Sequence, residues 1–286
     1  NKFLGQYYVK IESNKTIGMT KLKDGLSSIY IAALAKKEIA LKIKDPVDFT
    51  SRRKKTKLKG AVFVKFSLNG DSYAFGSVHL DASSEENRGQ DIKMIHETLK
   101  KEGFPNTVLL MGDFNYRLVK DNSNPLKNSS QYLIEKMSRG GVFHKTLGNR
   151  DSLAILLKNG QNKGFSKWGF EVPEYTFPTL PTYKKAYESS SDNRSCQSIP
   201  SNSKDKSLWK KCFFKKGDPK EKRCLQDKCI DFGWLDRMAT IGVQSQQLLG
   251  GAHQKEKKQL RLIDYGGSPK AVLGDHGAIW ASFESL

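Results

Sequence analysis

The sequence predicts a mixed α/β domain built in layers rather than around a purely parallel sheet, and three observations carry this. Strand-like apolar segments alternate with helical ones along the chain. Two of the strands flank Asn69-Gly70, the strongest short signal for a two-residue hairpin turn. A Ser-initiated helix with apolar residues at helical spacing then runs into a short apolar strand. The 286 residues suit one large domain or two small ones, at roughly 100–200 residues per domain, and no internal repeat is visible.

In chain order, residues 25–34, Gly-Leu-Ser-Ser-Ile-Tyr-Ile-Ala-Ala-Leu, predict a buried strand. Residues 61–68 and 72–80 are the two hairpin strands. Ser83 and Ser84, followed by acidic residues, open a helix whose apolar face is Ile92, Ile95 and Leu99, and Gly103-Phe104-Pro105 stops it. Thr107–Met111 is a short strand ending in Gly112-Asp113. Residues 130–138 and 151–158 predict helices, and 259–263 and 278–283 predict closing strands. Residues 186–228 are polar, basic and rich in Ser, Asn and Lys, which predicts a long irregular insertion. Its Trp209, Phe213 and Phe214 sit among lysines, a composition that fits either docking on a membrane interface or packing on the domain.

Apolar residues at 37% with 10% aromatics are enough to fill a core, which excludes a disordered polar chain. No run of 18 apolar residues predicts a spanning helix. The start, Asn1-Lys2-Phe3-Leu4-Gly5-Gln6, shows no signal pattern and no initiator methionine, so upstream sequence is expected. Charge is the most pronounced feature: 49 basic against 30 acidic residues, net +19. Fourteen of those charges lie in residues 36–59 and 184–229. Such an excess favours a polyanionic partner, whether nucleic acid, an anionic membrane or a phosphate-rich substrate. Lys-rich loops that only keep a protein soluble give the same count. The four cysteines, Cys196, Cys212, Cys224 and Cys229, contain no CxxC pair and so argue against zinc. Disulfides and free thiols both fit.

Chemistry concentrates in four segments. Met111-Gly112-Asp113-Phe114-Asn115-Tyr116-Arg117 ends a strand with a carboxylate and a carboxamide two residues apart, placed on one side by strand alternation. That pair can orient a water and hold an oxyanion; an Asx turn capping the strand is the plainer alternative. Gly274-Asp275-His276 precedes the last strand. Trp234-Leu235-Asp236-Arg237 offers a carboxylate able to fix a histidine tautomer. Ser77-Val78-His79-Leu80 ends a hairpin strand.

Taken together, in this order, these segments resemble the inositol polyphosphate 5-phosphatases of the endonuclease/exonuclease/phosphatase superfamily. The resemblance also takes in Pro181-Thr182-Tyr183-Lys184, Trp168-Gly169-Phe170-Glu171, Arg88, Gln90 and Asp91, and Lys59-Gly60-Ala61-Val62. It implies one catalytic domain over residues 1–286, N-terminally incomplete and carrying the basic insertion at about 186–228. The expected fold is a two-sheet β-sandwich flanked by helices, with the active site at one rim. The expected reaction is Mg²⁺-dependent hydrolysis of the 5-phosphate of an inositol polyphosphate or phosphoinositide.

By the same resemblance Asp113 orients and deprotonates the attacking water and Asn115 stabilises the pentacovalent phosphorus. His276, held by Asp236, contacts the scissile phosphate, His79 faces it, and Asp275 lies at the metal. Lys59, Arg117, Tyr183, Lys184, Lys228 and Arg237 bind substrate. Ile230 stands where the family carries an arginine, which predicts a weakened grip on the 4-phosphate. The family's Trp-Asn strand and the strand bearing its main metal Glu are not present; Glu12 aligns with a later strand and is not that ligand. The partners implied are a phosphoinositide membrane or soluble inositol polyphosphate and an anionic membrane surface, for a monomer that is cytoplasmic and peripheral, with secretion left open. Two other readings stand: a nuclease of the same superfamily, against which Pro181–Lys184 argues, and a pseudophosphatase that only binds phosphoinositides.

Overall fold

A computed structural model describes residues 8–10, 21–22, 25–26, 29, 31–52, 59–119, 149–160, 164–175, 182, 234–245, 260–273 and 276–286. Its twelve described strands are β1 Tyr8–Lys10, β2 Lys21–Leu22, β3 Gly25–Leu26, β4 Leu34–Lys36, β5 Ile43–Arg52, β6 Gly60–Leu68, β7 Asp71–His79, β8 Thr107–Asp113, β9 Asp236–Ile241, β10 Val243–Gln244, β11 Leu260–Leu273 and β12 His276–Ser285. The described helices are α1 Lys37–Ala40, α2 Glu85–Lys101 and α3 Ser152–Lys158. One sheet has the order β5-β6-β7-β8-β9, and β10-β11-β12 form a second.

Strand alternation builds the layers. On β6, β7 and β8, Ala61, Phe63, Ala74, Val78, Val108 and Leu110 point to a core shared with Ile92, Ile95 and Leu99 of α2 and Leu153, Ala154 and Leu157 of α3. The intervening residues face the other way: Leu109, Met111 and Phe75 pack with Leu262, Tyr265, Ile279 and Phe283 of the second sheet. The architecture is therefore helices on a five-stranded mixed sheet on a three-stranded sheet, the α/β sandwich expected. Each fully buried Ile or Leu of α2 contributes about 1.5–3 kcal/mol. The helix is also well terminated: Ser84 Oγ accepts from the Asn87 N–H at 3.1 Å, Glu85 and Glu86 occupy the first turn, and Lys100 and Lys101 the last.

The hairpin turn is as expected, with Asn69 and Gly70 both at positive φ, 53° and 88°. Three expectations need correction. Residues 25–34 are not one strand: among the described residues β3 pairs with β2 and β4 with β1, residues 31–33 between them are not strand, and Leu34 is 53% exposed. A buried strand needs sheet neighbours and cover on both faces, and the described residues of this segment lie outside both main sheets. β5 was not anticipated, because Asp45-Pro46 interrupts its alternation; the strand absorbs them in a register shift between Lys44 and Val47, with Asp45 at φ 52°. The closing strands are longer than 259–263 and 278–283, since a second register shift between Ser268 and Val272 carries β11 through Gly266-Gly267-Ser268-Pro269. The helix expected over 130–138 and the insertion at 186–228 lie outside the described residues.

Candidate active site

Sheet register brings the site together. Gly60 pairs with His79, His79 with Asp113, and Asp113 with Asp236, so one row across β6, β7, β8 and β9 ends at the same rim. Lys59 directly precedes that row. His79, Asp113 and Asp236 share the parity of Phe75, Met111 and Met238, which face the second sheet. From that sheet comes His276, the first residue of β12. Its Nδ1 lies 2.9 Å from Asp236 Oδ2 and 3.2 Å from Oδ1, and its Nε2 lies 4.0 Å from Asp113 Oδ2. His79 Nε2 lies 3.4 Å from the same Asp113 oxygen and contacts Lys59 Nζ. Two imidazoles thus approach one carboxylate, and one of them is fixed from behind by a second carboxylate.

The close approach of β7 and β8 at this rim depends on Gly112. Its φ is 142°, and a Cβ there would meet Val78 O at 2.2 Å. Beyond it the chain turns. Asn115 adopts φ 57°, its N–H donates to Asp113 Oδ1 (2.8 Å), and its Nδ2 donates to Leu80 O (2.8 Å) and Asp113 Oδ2 (3.1 Å). Asn115 is therefore brought to Asp113 by a left-handed turn rather than by strand alternation, and the Asx turn and the site are the same structure. Its amide holds Asp113.

Burial pushes the Asp113 carboxyl up to about 6; the neighbouring Asp236 charge adds to this, while His276, the Asn115 N–H and Lys59 pull it down. A carboxylate poised near neutrality is suited to general-base work. Burial also lowers the Lys59 ammonium, with the Arg117 charge adding to that and Asp113, Asp81 and Asp91 opposing it. Arg117, partly buried, follows the β8 turn. Tyr116 is buried behind it, donating to Glu85 Oε1 (3.1 Å) under the Arg88 guanidinium, 4.5 Å from the ring centroid.

Arg237 is the correction among the expected site residues. Alternation sends it to the helix side with Ala239 and Ile241, opposite to Asp236. Its side chain is 3% exposed, its Nη2 pairs with Asp151 Oδ2, and its Nε donates to Trp234 O at 2.7 Å. It is a buried structural cation and does not face substrate. Asp275, Tyr183, Lys184 and Lys228 lie outside the described residues. Thr182, the described member of Pro181–Lys184, accepts the Asp236 N–H at 3.0 Å. Thr182 stood in a quoted motif without a role of its own, and Asp151 and Tyr175, whose hydroxyl donates to Asp236 O, were not singled out from sequence. Arg237 itself was the available signal, since a charge on the inward parity of a buried strand calls for a buried counter-ion.

Among the described residues no group of three or more His, Cys, Asp or Glu is arranged to hold a metal. The donor set explains this. Asp113 Oδ2 faces both imidazoles and the Asn115 amide, and both Asp236 oxygens face His276, so neither carboxylate presents the open oxygen set that a hard cation takes. These residues by themselves do not fit a Mg²⁺ centre.

The chain belongs to Endonuclease/Exonuclease/phosphatase family 2, whose family model matches residues 6–228. No protein of curated function matches it. Among solved structures it is similar to the inositol polyphosphate 5-phosphatase domain of SPsynaptojanin in complex with inositol (1,4)-bisphosphate and calcium ion. That match has 18% identity and a TM-score of 0.56, covering 97% of this chain and 62% of that one. It is also similar to a Cimex nitrophorin in its ferrous NO complex, at 14% identity and a TM-score of 0.52, covering 99% of this chain and 76% of that one. The chain thus spans less than two thirds of the synaptojanin structure. At these identities the likeness is one of fold, and a fold shared by a phosphatase domain and a nitrophorin leaves function to the site.

Proposed function

We propose that this protein hydrolyses phosphate monoesters of inositol polyphosphates or phosphoinositides at the 5-position. The observation that carries this is the rim itself. A near-neutral carboxylate, Asp113, meets the Asp236–His276 pair and the His79–Lys59 pair within a few ångströms, so a base and donors for a phosphoryl group converge. In this reading Asp113 takes a proton from water as the water oxygen bonds to phosphorus and the bond from phosphorus to the inositol oxygen breaks, the inositol oxygen leaving with a proton taken from solvent. Asp236 keeps a proton on His276 Nδ1 and supports the imidazolium, whose Nε2–H donates to a phosphoryl oxygen. His79 and Lys59 supply further donors, and Arg117, Tyr183, Lys184 and Lys228 contact the other phosphates.

A Mg²⁺ requirement is part of the proposal, suggested by the resemblance and by the calcium ion of the synaptojanin complex. Asp275 and other residues outside the described ones would hold the ion, and no step above passes through it. The substrate is presented by an anionic membrane or is soluble, and the +19 charge supports either source.

The test is phosphate release from inositol 1,4,5-trisphosphate and from vesicles containing phosphatidylinositol 4,5-bisphosphate, beside nicking of abasic DNA, each with Mg²⁺ and with EDTA. Mg²⁺-dependent phosphate release without nicking supports the proposal. Nicking alone supports a nuclease, and headgroup binding without turnover supports a binding module.

A further inference from the structure

Asp236 is held in an unusual way. At the Asp113–Asp236 pair its own N–H and C=O are both bonded to side chains: Thr182 Oγ1 accepts the N–H at 3.0 Å, and the Tyr175 hydroxyl donates to the C=O. Tyr175 is itself stacked on Tyr265 of β11, with centroids 4.4 Å apart and planes at 24°. Its ring also faces the Arg237 guanidinium at 5.1 Å, and that guanidinium is locked to Asp151 at the start of α3. One side chain thus touches the second sheet through its ring, the first sheet through its hydroxyl, and the helix layer through Arg237.

This matters because the Asp236–His276 pair is divided between those sheets. Asp236 opens β9 in the five-stranded sheet, and His276 opens β12 in the other. The 2.9 Å contact between them survives only if the two sheets keep their relative placement at the rim. The β8–β9 ladder cannot enforce this, since it lies within one sheet. Tyr175 spans the gap from the Asp236 main chain to Tyr265, which pairs with Ala281 of β12.

We propose that Tyr175 is a positioning residue: through its hydroxyl on the Asp236 carbonyl and its ring on Tyr265, it sets the distance between Asp236 and His276. The inference rests on the hydrolytic reading for its kinetic consequence, but its geometric content does not. The phenol oxygen is the essential atom. Phenylalanine keeps the stack and the face toward Arg237 and removes the hydroxyl's bonds to the Asp236 carbonyl and to the Tyr265 hydroxyl.

The experiment compares the full chain with Tyr175→Phe, using ¹⁵N-histidine labelling and His276→Gln to assign the His276 imidazole proton. The unsubstituted protein is expected to show a downfield, slowly exchanging Nδ1–H from His276. In Tyr175→Phe that signal should be lost or move upfield, while the melting midpoint and far-UV spectrum stay close to the parent. Kinetically, kcat should fall by about tenfold to a hundredfold, the range for residues that orient catalytic groups, with KM held within about twofold. An unchanged imidazole signal in Tyr175→Phe, or none in the parent, overturns the proposal. So does a variant that loses its fold, because the hydroxyl would then be general scaffolding. If the parent hydrolyses no phosphate monoester, the functional reading fails and the imidazole signal alone decides this inference.

Discussion

Burial has two opposed consequences for Asp113, and both are measurable. A carboxyl held near 6 in the folded state binds its proton more tightly than the unfolded chain does. The folded state therefore loses stability as pH rises from about 4 to about 6 and carries the full cost of the buried charge above that. Asp113→Asn should raise stability at pH 7.5 by about 1–3 kcal/mol, an advantage that disappears near pH 4; denaturant melts at the two pH values check this. The same substitution should cut kcat by about 10²–10⁴, the usual worth of a general base. In the parent, kcat/KM should climb with pH through about 6 and level off, and a flat profile would remove Asp113 as the base.

Residue types at this rim were legible before the structure, because Asp113, Asn115, Asp236 and His276 stand in ordered motifs. Arg237 was misassigned because a cation beside a site carboxylate suggests a phosphate contact. Period-two alternation along β9 already separates it from Asp236. The role of Thr182 within its motif, and Tyr175 altogether, were not legible, because their partner is the main chain of Asp236 and no side-chain pattern records a bond to a peptide group.

The elements deliver these residues through register, and register depends on close backbone approach. Gly112→Ala places a Cβ against the Val78 carbonyl in a conformation that L-residues rarely adopt. The expected cost is at least about 2 kcal/mol, with activity lost beyond what the stability change explains, because His79 and Asp113 face each other across that contact. Arg237→Met leaves Asp151 without its counter-ion in the core and should cost roughly 3–5 kcal/mol. Adding Asp151→Asn should recover part of that, and urea melts of the single and double variants give the answer. At this scale the sequence marked hairpin, capped helix and central strand well, since each has a local signal. It missed β5 and broke β11 short, because bulges accommodate Asp45-Pro46 and Gly266–Pro269 through pairing with a neighbour. Residues 25–34 failed for the converse reason: apolar content predicts a strand only where a sheet exists to receive it.

For the whole molecule, layering was predictable and function is not fixed by it. The sandwich expected from the motifs is the one found, and the family is that of endonuclease, exonuclease and phosphatase domains. A nitrophorin shares the layers, so the functional claim stands on the rim where two sheets and five side chains meet. The charge of +19 adds a prediction at this scale. If it draws in a polyanionic substrate, KM for inositol 1,4,5-trisphosphate should rise severalfold between 50 and 300 mM salt while kcat changes little, since screening acts on encounter more than on chemistry.

The central claim is that this rim transfers a phosphoryl group to water. Its most direct test is the rate of inorganic phosphate release from inositol 1,4,5-trisphosphate in Mg²⁺ by the full chain and by His276→Ala at equal concentration. The account predicts steady multiple turnover by the parent and a rate at least about a hundredfold lower in the variant. Equal rates in the two proteins, or no release by the parent, would contradict it.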